Sequence, residues 1–317
     1  MSVKTPVAFL IFNRPDLTEQ VFAAIAQARP ERLLVVGDGP RADRADERAQ
    51  VGATRAIIER VDWPCEVQTN YAEENLGCKR RVSSGLAWIF EQCEEAIILE
   101  DDCLPDPSFF PFCEELLAHY RHDRRIVSIA GNGYEGGPLP YGNGYTFSKY
   151  FQCWGWASWR RVWENFDLEL QTWPEFDAAG CLASFADSAA EERYWRQIFD
   201  RQCRGEIDSW AYSWAYSCFA QSGLSVIPAV NLICNLGFDQ RATHTRQVDH
   251  HLAARPVDTL SEFRHPPAVI RNKEADKICF ARRFQREPKL VRLKKKIRRR
   301  VRSWYDNGPH DPPRKAA

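Results

Sequence analysis

The stretch Ala96-Ile-Ile-Leu-Glu-Asp-Asp-Cys-Leu-Pro-Asp-Pro107 decides how the rest of the chain is read. A short apolar run bounded by charge reads as a strand buried on both faces. Three consecutive acids, Glu100, Asp101 and Asp102, leave that strand directly, and a proline-broken turn follows. Carboxylates packed this closely repel one another, so their placement calls for a positive partner. A hard divalent cation with oxygen ligands suits them, because such an ion takes one or two protein carboxylates and fills its remaining positions with water and substrate phosphates. Alternate residues of an extended segment face opposite ways. One acid of the triplet can therefore meet a metal while its neighbour meets a sugar hydroxyl. The plain alternative is a solvated acidic turn ahead of a helix capped by Asp106 or Ser108.

Working outward, the same pattern repeats. Val7-Ala-Phe-Leu-Ile-Phe12 is a second continuous apolar run and ends in Asn-Arg-Pro. Leu33-Leu-Val-Val36 is a third, ended by Gly-Asp-Gly-Pro, and Cys65 to Asn70 reads as a further strand. Helical periodicity separates them over about 16–28, 43–60 and 75–92, and Ile126 to Ala130 supplies a fifth strand. Strands alternating with helices predict an α/β fold, with a mostly parallel, Rossmann-like sheet and helices on both faces. In such sheets ligands bind beyond the carboxyl ends of the strands. Asn13-Arg14, Asp38 and the Glu100–Asp102 triplet all fall at strand ends, which places them on one crevice.

Composition limits the alternatives. The chain has 317 residues and a formal net charge of +0. That balance hides an asymmetry: residues 289–302 carry nine Lys and Arg and no acid. The body is correspondingly acidic, which does not suit nucleic-acid binding. No apolar run is long enough to span a membrane, and no secretory signal is evident. Eleven cysteines without any C-x-x-C spacing read as reduced thiols of a cytoplasmic protein. In the tail, Leu290, Leu293, Ile297, Val301 and Trp304 recur at near-helical spacing among the cations. This predicts a basic amphipathic helix that holds the protein on the anionic inner face of a membrane through residues 289–304. The domain expectation is a body over 1–285, divided near residue 130 into nucleotide and acceptor halves, and a tail over 286–317.

Taken together, these motifs resemble the N-acetylglucosaminyltransferase I family and its bacterial relatives, which have the GT-A glycosyltransferase fold. The resemblance covers roughly residues 5–245. It is carried by Glu100-Asp-Asp followed by Leu-x-Pro-Asp-Pro-x-Phe-Phe, by Phe9-Leu-Ile-Phe-Asn-Arg-Pro, by Arg29-Pro-Glu-Arg and by Val35-Val-Gly-Asp-Gly. Val127-Ser-Ile-Ala-Gly-Asn-Gly, the aromatic segment Phe151–Trp163, Ser-Trp-Ala and Gly-Phe-Asp…Thr-His fit as well. The resemblance implies a glycosyltransferase that moves a sugar from a UDP-sugar to a saccharide or lipid-linked saccharide hydroxyl with inversion, using Mn²⁺ or Mg²⁺. Asp102 would hold the metal. Asp101 and Glu100 would touch ribose and donor sugar, Asp38 the uracil ring, and Arg14 the base or diphosphate. Many GT-A enzymes place a late histidine on the metal or diphosphate, and His244 is the candidate here.

The remaining candidates rest on local pattern. Lys79-Arg80-Arg81 opens a helix, so Arg81 is a candidate phosphate contact. Inversion needs a base for the acceptor hydroxyl. Asp208, in Glu206-Ile-Asp-Ser-Trp210, is the nearest match, although Ser209 and Ala211 depart from the family's paired aspartates. The same residues equally fit a helix N-cap. The tandem Ser209-Trp-Ala-Tyr-Ser-Trp-Ala-Tyr-Ser217 reads as a helix, and Trp156, Trp159 and Trp163 as a helical core stripe. Trp154, just before Gly155, is the free ring for stacking on a sugar. Gly131 to Gly144 reads as a mobile loop, and His119 and His122 as solvated. Two other function classes compete. One is a non-catalytic protein that binds membranes through its tail. The other is a nucleotidyltransferase, which would need a glycine-rich, lysine-bearing loop after the first strand. Asn13-Arg-Pro-Asp offers none.

Overall fold

A computed structural model describes residues 2–136, 139, 144–238 and 255–285. The expected tail over 286–317, His244 and much of the 131–144 segment lie outside the described residues. The apolar runs form strands as read: β1 (Val7–Ile11), β2 (Arg32–Gly37), β3 (Glu66–Tyr71), β4 (Glu95–Glu100) and, after a short β5 (Cys103–Pro105), β6 (Ile126–Ala130). Helices α1 (Pro15–Ala28), α2 (Glu47–Ile58), α3 (Gly77–Gln92) and α4 (Phe109–Tyr120) connect them. Pro15 opens α1 at a position where its missing N–H costs nothing. Arg29 then ends that helix in the left-handed conformation, donating its N–H to Ile25 O at 3.0 Å.

The large sheet has eight strands in the order β3-β2-β1-β4-β8-β6-β9-β7, where β7 is Tyr145–Ser148, β8 Trp156–Trp159 and β9 Leu224–Pro228. β1, β2, β3 and β4 pair in parallel, as do β6 and β9. β8 is antiparallel to both β4 and β6, and β7 is antiparallel to β9. The carboxyl ends of β1, β2, β4 and β6 therefore share one edge with the amino end of β8. This is the α/β architecture expected, with one correction. Trp156 and Trp159 are not on a helix but at the two ends of a four-residue strand in mid-sheet, and Trp163 alone is helical, at the end of α5 (Arg160–Trp163). Three-residue spacing on a strand puts Trp156 and Trp159 on opposite faces. Both are at most 1% exposed, so helices cover the sheet on both sides.

The main core runs from Val3 to Ile233, through Phe9, Leu99, Trp156 and Trp214. A second core gathers Tyr150, Trp173, Trp195, Phe199 and Phe219 beneath α6 (Trp173–Ala178), α7 (Cys181–Phe185), α8 (Ala189–Cys203) and α9 (Trp210–Ala220). α9 is the tandem tetrapeptide, helical as read. Its Trp210 stacks on Trp156 with ring centroids 6.0 Å apart. The chain then adds β10 (Ile233–Asn235), which pairs with β5, and a last helix, α10 (Lys273–Cys279), continued by a π-helical turn over Phe280–Phe284.

Candidate active site

Arg14, the residue between β1 and α1, meets the acids that leave β4. Its Nη2 pairs with Asp101 and lies 2.9 Å from Asp102 Oδ2. Asp101 is buried and also accepts the Phe12 N–H at 3.3 Å, which ties the end of β1 to the end of β4. Burial opposes the Arg14 charge, but Asp101 and Asp102 outweigh it and hold the guanidinium protonated beyond its ordinary strength. Burial, with the other members of the triplet, pushes the carboxyls of Glu100 and Asp101 up. Glu100 is half-buried. With all three acids ionised, one guanidinium would leave two formal negative charges, the charge of one divalent cation; the raised carboxyls of Glu100 and Asp101 show that the fold resists that state without a cation.

The turn after β10 closes over this cluster. Leu236 donates its N–H to the Asp102 carbonyl at 2.7 Å. A Cβ on Gly237 would stand 2.1 Å from Asp102 Oδ2 and 3.1 Å from Arg14 Nη1, so only glycine lets the backbone approach this closely. Phe238 packs edge-on against Trp154 at 5.4 Å. Trp154 is half-buried and turns into β8 through Gly155, whose φ of 58° favours glycine. Trp154 thus packs against the turn that closes over the triplet.

Asp208 also reaches this edge. Ser209 is the N-cap residue of α9, and its side chain makes no capping hydrogen bond. Asp208 is exposed, and its Oδ2 would lie 3.9 Å from a Cβ built on Gly77 at the start of α3. The Cys78 thiol is pushed up to about 12, by burial first and then by Glu100, Asp208, Asp38 and Asp102. All four acids are thus within electrostatic reach of Cys78.

Asp38 and Arg81 sit deeper than their expected roles imply. Helix α3 starts at Leu76, which has no capping side chain of its own. Asp38 supplies the cap from the end of β2. Its Oδ1 accepts the N–H of Gly39 at 2.8 Å and of Leu76 at 2.9 Å. Its Oδ2 accepts Gly77 N–H at 3.2 Å and Asn75 Nδ2 at 3.0 Å. A carboxylate has about four acceptor positions, and all are used. Burial still raises its pKa despite these bonds. Arg81 is buried and donates to Gly37 O at 3.2 Å, Asn70 Oδ1 at 2.8 Å and the Asn70 carbonyl. It pins the ends of β2 and β3 together.

Among the described residues, no group of three or more His, Cys, Asp or Glu is arranged to hold a metal ion. The triplet offers only oxygen donors, and a hard cation would take one or two of them and draw its other oxygens from water or a nucleotide diphosphate. Several site-edge residues escaped the sequence reading. Glu135, at the start of the supposedly mobile loop, is part of a packed segment in which Gly131, Asn132 and Gly133 are buried. His119 and His122 are both exposed, as read, and His119 also stacks on His265 at 3.6 Å. Among the described residues no helix is long and apolar enough to cross a membrane.

No family model matches the chain, and no curated protein matches it. Among solved structures, it is similar to the crystal structure of UDP-glucose pyrophosphorylase complexed with UDP-glucose. The TM-score is 0.31 and the identity 11%, over 51% of this chain and 78% of that one. The functional reading rests on this chain's own residues.

Proposed function

We propose that the chain is a metal-dependent glycosyltransferase that moves a sugar from a UDP-sugar to a saccharide hydroxyl with inversion, in surface polysaccharide or glycan synthesis. The supporting observation is the acid triplet at the end of β4, with one arginine to three carboxylates. Asp102 holds Mn²⁺ or Mg²⁺ in this reading, and Glu100 and Asp101 orient donor sugar and ribose. When bound, the ion supplies positive charge to the departing diphosphate. Arg14 holds Asp101 and Asp102 in place through its two ion pairs. Asp208 is exposed, makes no cap and faces the same crevice, so it takes the proton from the acceptor hydroxyl as that oxygen attacks the anomeric carbon. Trp154 offers a ring face to a sugar.

Asp38 shapes the base end of the crevice by fixing the start of α3. A uracil N–H reaches it only by displacing the Asn75 amide or one backbone N–H. Arg81 acts behind it, by holding β2 to β3. The nucleotide half of the body extends to about residue 130 and the acceptor half follows. The basic tail and His244 keep their expected roles, at an anionic membrane face and near the metal. The test is release of sugar from UDP-sugars in the presence of Mn²⁺. Activity that disappears with chelator and falls roughly a hundredfold or more in Asp208→Asn supports the reading. Activity indifferent to chelator overturns it.

A further inference from the structure

The crevice edge continues past Trp154. β8 lies between β4 and β6, so the chain leaving β6 stands two strands from the acids, roughly 10 Å away at ordinary strand spacing. That chain presents Glu135, and three arginines converge on it. Arg283 donates to Glu135 Oε1 from Nε at 3.1 Å and from Nη2 at 2.7 Å. Arg255 Nη1 reaches the same oxygen at 3.3 Å. Arg282 Nη1 lies 3.6 Å from Oε2 and donates to the Glu135 carbonyl at 2.9 Å. Among the described residues, every ion pair of these three arginines ends on Glu135. One carboxylate against three guanidiniums leaves two formal positive charges, the reverse of the triplet two strands away.

The scaffold holds these like charges together. Arg282 and Arg283 ride on the π-helical turn, a form that concentrates at functional sites. Phe280 and Phe284 anchor that turn in the second core, with Phe284 4.9 Å from Trp195. Asp276, one turn earlier, accepts from Ser148 and Arg271. Arg283 also donates to Gln152, and its guanidinium sits 6.0 Å from the Trp154 ring centroid. Burial pushes the Cys153 thiol up, and of the nearby charges Glu100 adds to the rise while Arg283 opposes it. Trp154 therefore stands between a negative and a positive wall.

We propose that the arginine wall binds an oxyanion, a phosphate or carboxylate, carried by the acceptor, with the acceptor's sugar resting against Trp154. This rests on the glycosyl-transfer reading of the triplet. The donor diphosphate belongs with the cation over β4, on the other side of the tryptophan, and a neutral acceptor would leave the wall uncompensated. Arg282 is the exposed member, and among the described residues its hydrogen bond and its ion pair both end on Glu135, so it offers a fork to a second anion.

The experiment titrates metal-free protein with inorganic phosphate and, separately, with acetate, by calorimetry at two salt concentrations. Without metal the triplet repels anions, so the signal reports the wall. Phosphate binding should weaken with salt and fall about tenfold in Arg282→Glu, the loss expected of one charge-assisted pair. Arg282→Gln, which keeps the fold without the charge, should lie between the two. Acetate binding as tightly as phosphate points to a carboxylate acceptor, and phosphate alone to a phosphorylated one. Asp102→Asn should lose UDP binding with Mn²⁺ yet keep phosphate binding, which separates failure of the donor reading from failure of the wall. Absence of binding by both anions, or equal binding by Arg282→Glu, overturns the proposal.

Discussion

Asp38→Ala removes the cap of α3 without touching any acid of the triplet. Three backbone donors, Gly39, Leu76 and Gly77, lose their acceptor, and the Asn75 amide keeps only the Gly39 carbonyl. A buried donor left without a partner costs about 1–3 kcal/mol. Leu76 is exposed and Asn75 half-buried, so water restores part of what is lost. A total of about 3–4 kcal/mol is expected, of the order measured for strong helix caps and somewhat above it. For a chain of this size the unfolding entropy near Tm is about 0.6 kcal/mol per degree, so Tm should fall by roughly 6 °C. Asp38→Asn retains one acceptor oxygen and should lose about half as much. Calorimetry gives the Tm, and hydrogen exchange at the Leu76 and Gly77 amides shows whether the loss is at the cap. An unchanged Tm with those amides still protected, while UDP affinity drops, would refute the reasoning and make Asp38 a ligand contact first.

Three further perturbations address the triplet. Gly237→Ala drives a Cβ into the Asp102 carboxylate and should cost about 1–3 kcal/mol of stability; it should also weaken Mn²⁺-dependent UDP binding, which calorimetry on the folded variant measures. Arg14→Met leaves buried carboxylates without their counter-charge. The metal-free protein should lose about 3–5 kcal/mol, and Mn²⁺ should return much of it, as a thermal shift larger than the wild type's. The pH dependence has a definite sign. Glu100 is pushed up to about 8, by burial first and then by Asp102 and Asp101. A carboxyl raised in the folded state holds a proton that the unfolded chain has lost, so stability falls as pH rises between the ordinary carboxylate range and the raised value. Metal-free Tm should therefore decline from about pH 5 to about pH 8, and the Mn²⁺-induced rise in Tm should be larger at the upper end. A flat profile in both states contradicts this.

How much of this was legible depended on chain distance. β1, β2, β4 and β6 announced themselves as unbroken apolar runs, and the polar residues at their carboxyl ends fixed the crevice. β8 did not, because Trp156, Trp159 and Trp163 fit a helix spacing as well as a buried strand followed by a turn of helix. β5 and β10 are three residues each, too short to leave a period. Asp38 could not be recognised as a cap, since the donors it serves lie 38 and 39 residues downstream. The Glu135–Arg283 pair joins residues 148 apart and depends on a π-helical turn that no local pattern announces. Its one visible sign was an acid in an otherwise glycine-rich segment. Asp208 fitted base and cap alike in the sequence, and an N-cap residue at 209 without a capping bond leaves its carboxylate available.

The most direct test is calorimetric titration of the protein with UDP, with and without Mn²⁺, in the wild type and in Asp102→Ala. The account predicts UDP binding that Mn²⁺ strengthens by tenfold or more, about 1.4 kcal/mol at least, and an enhancement that Asp102→Ala removes. UDP binding that ignores the metal, or a metal effect that survives the loss of Asp102, would contradict it.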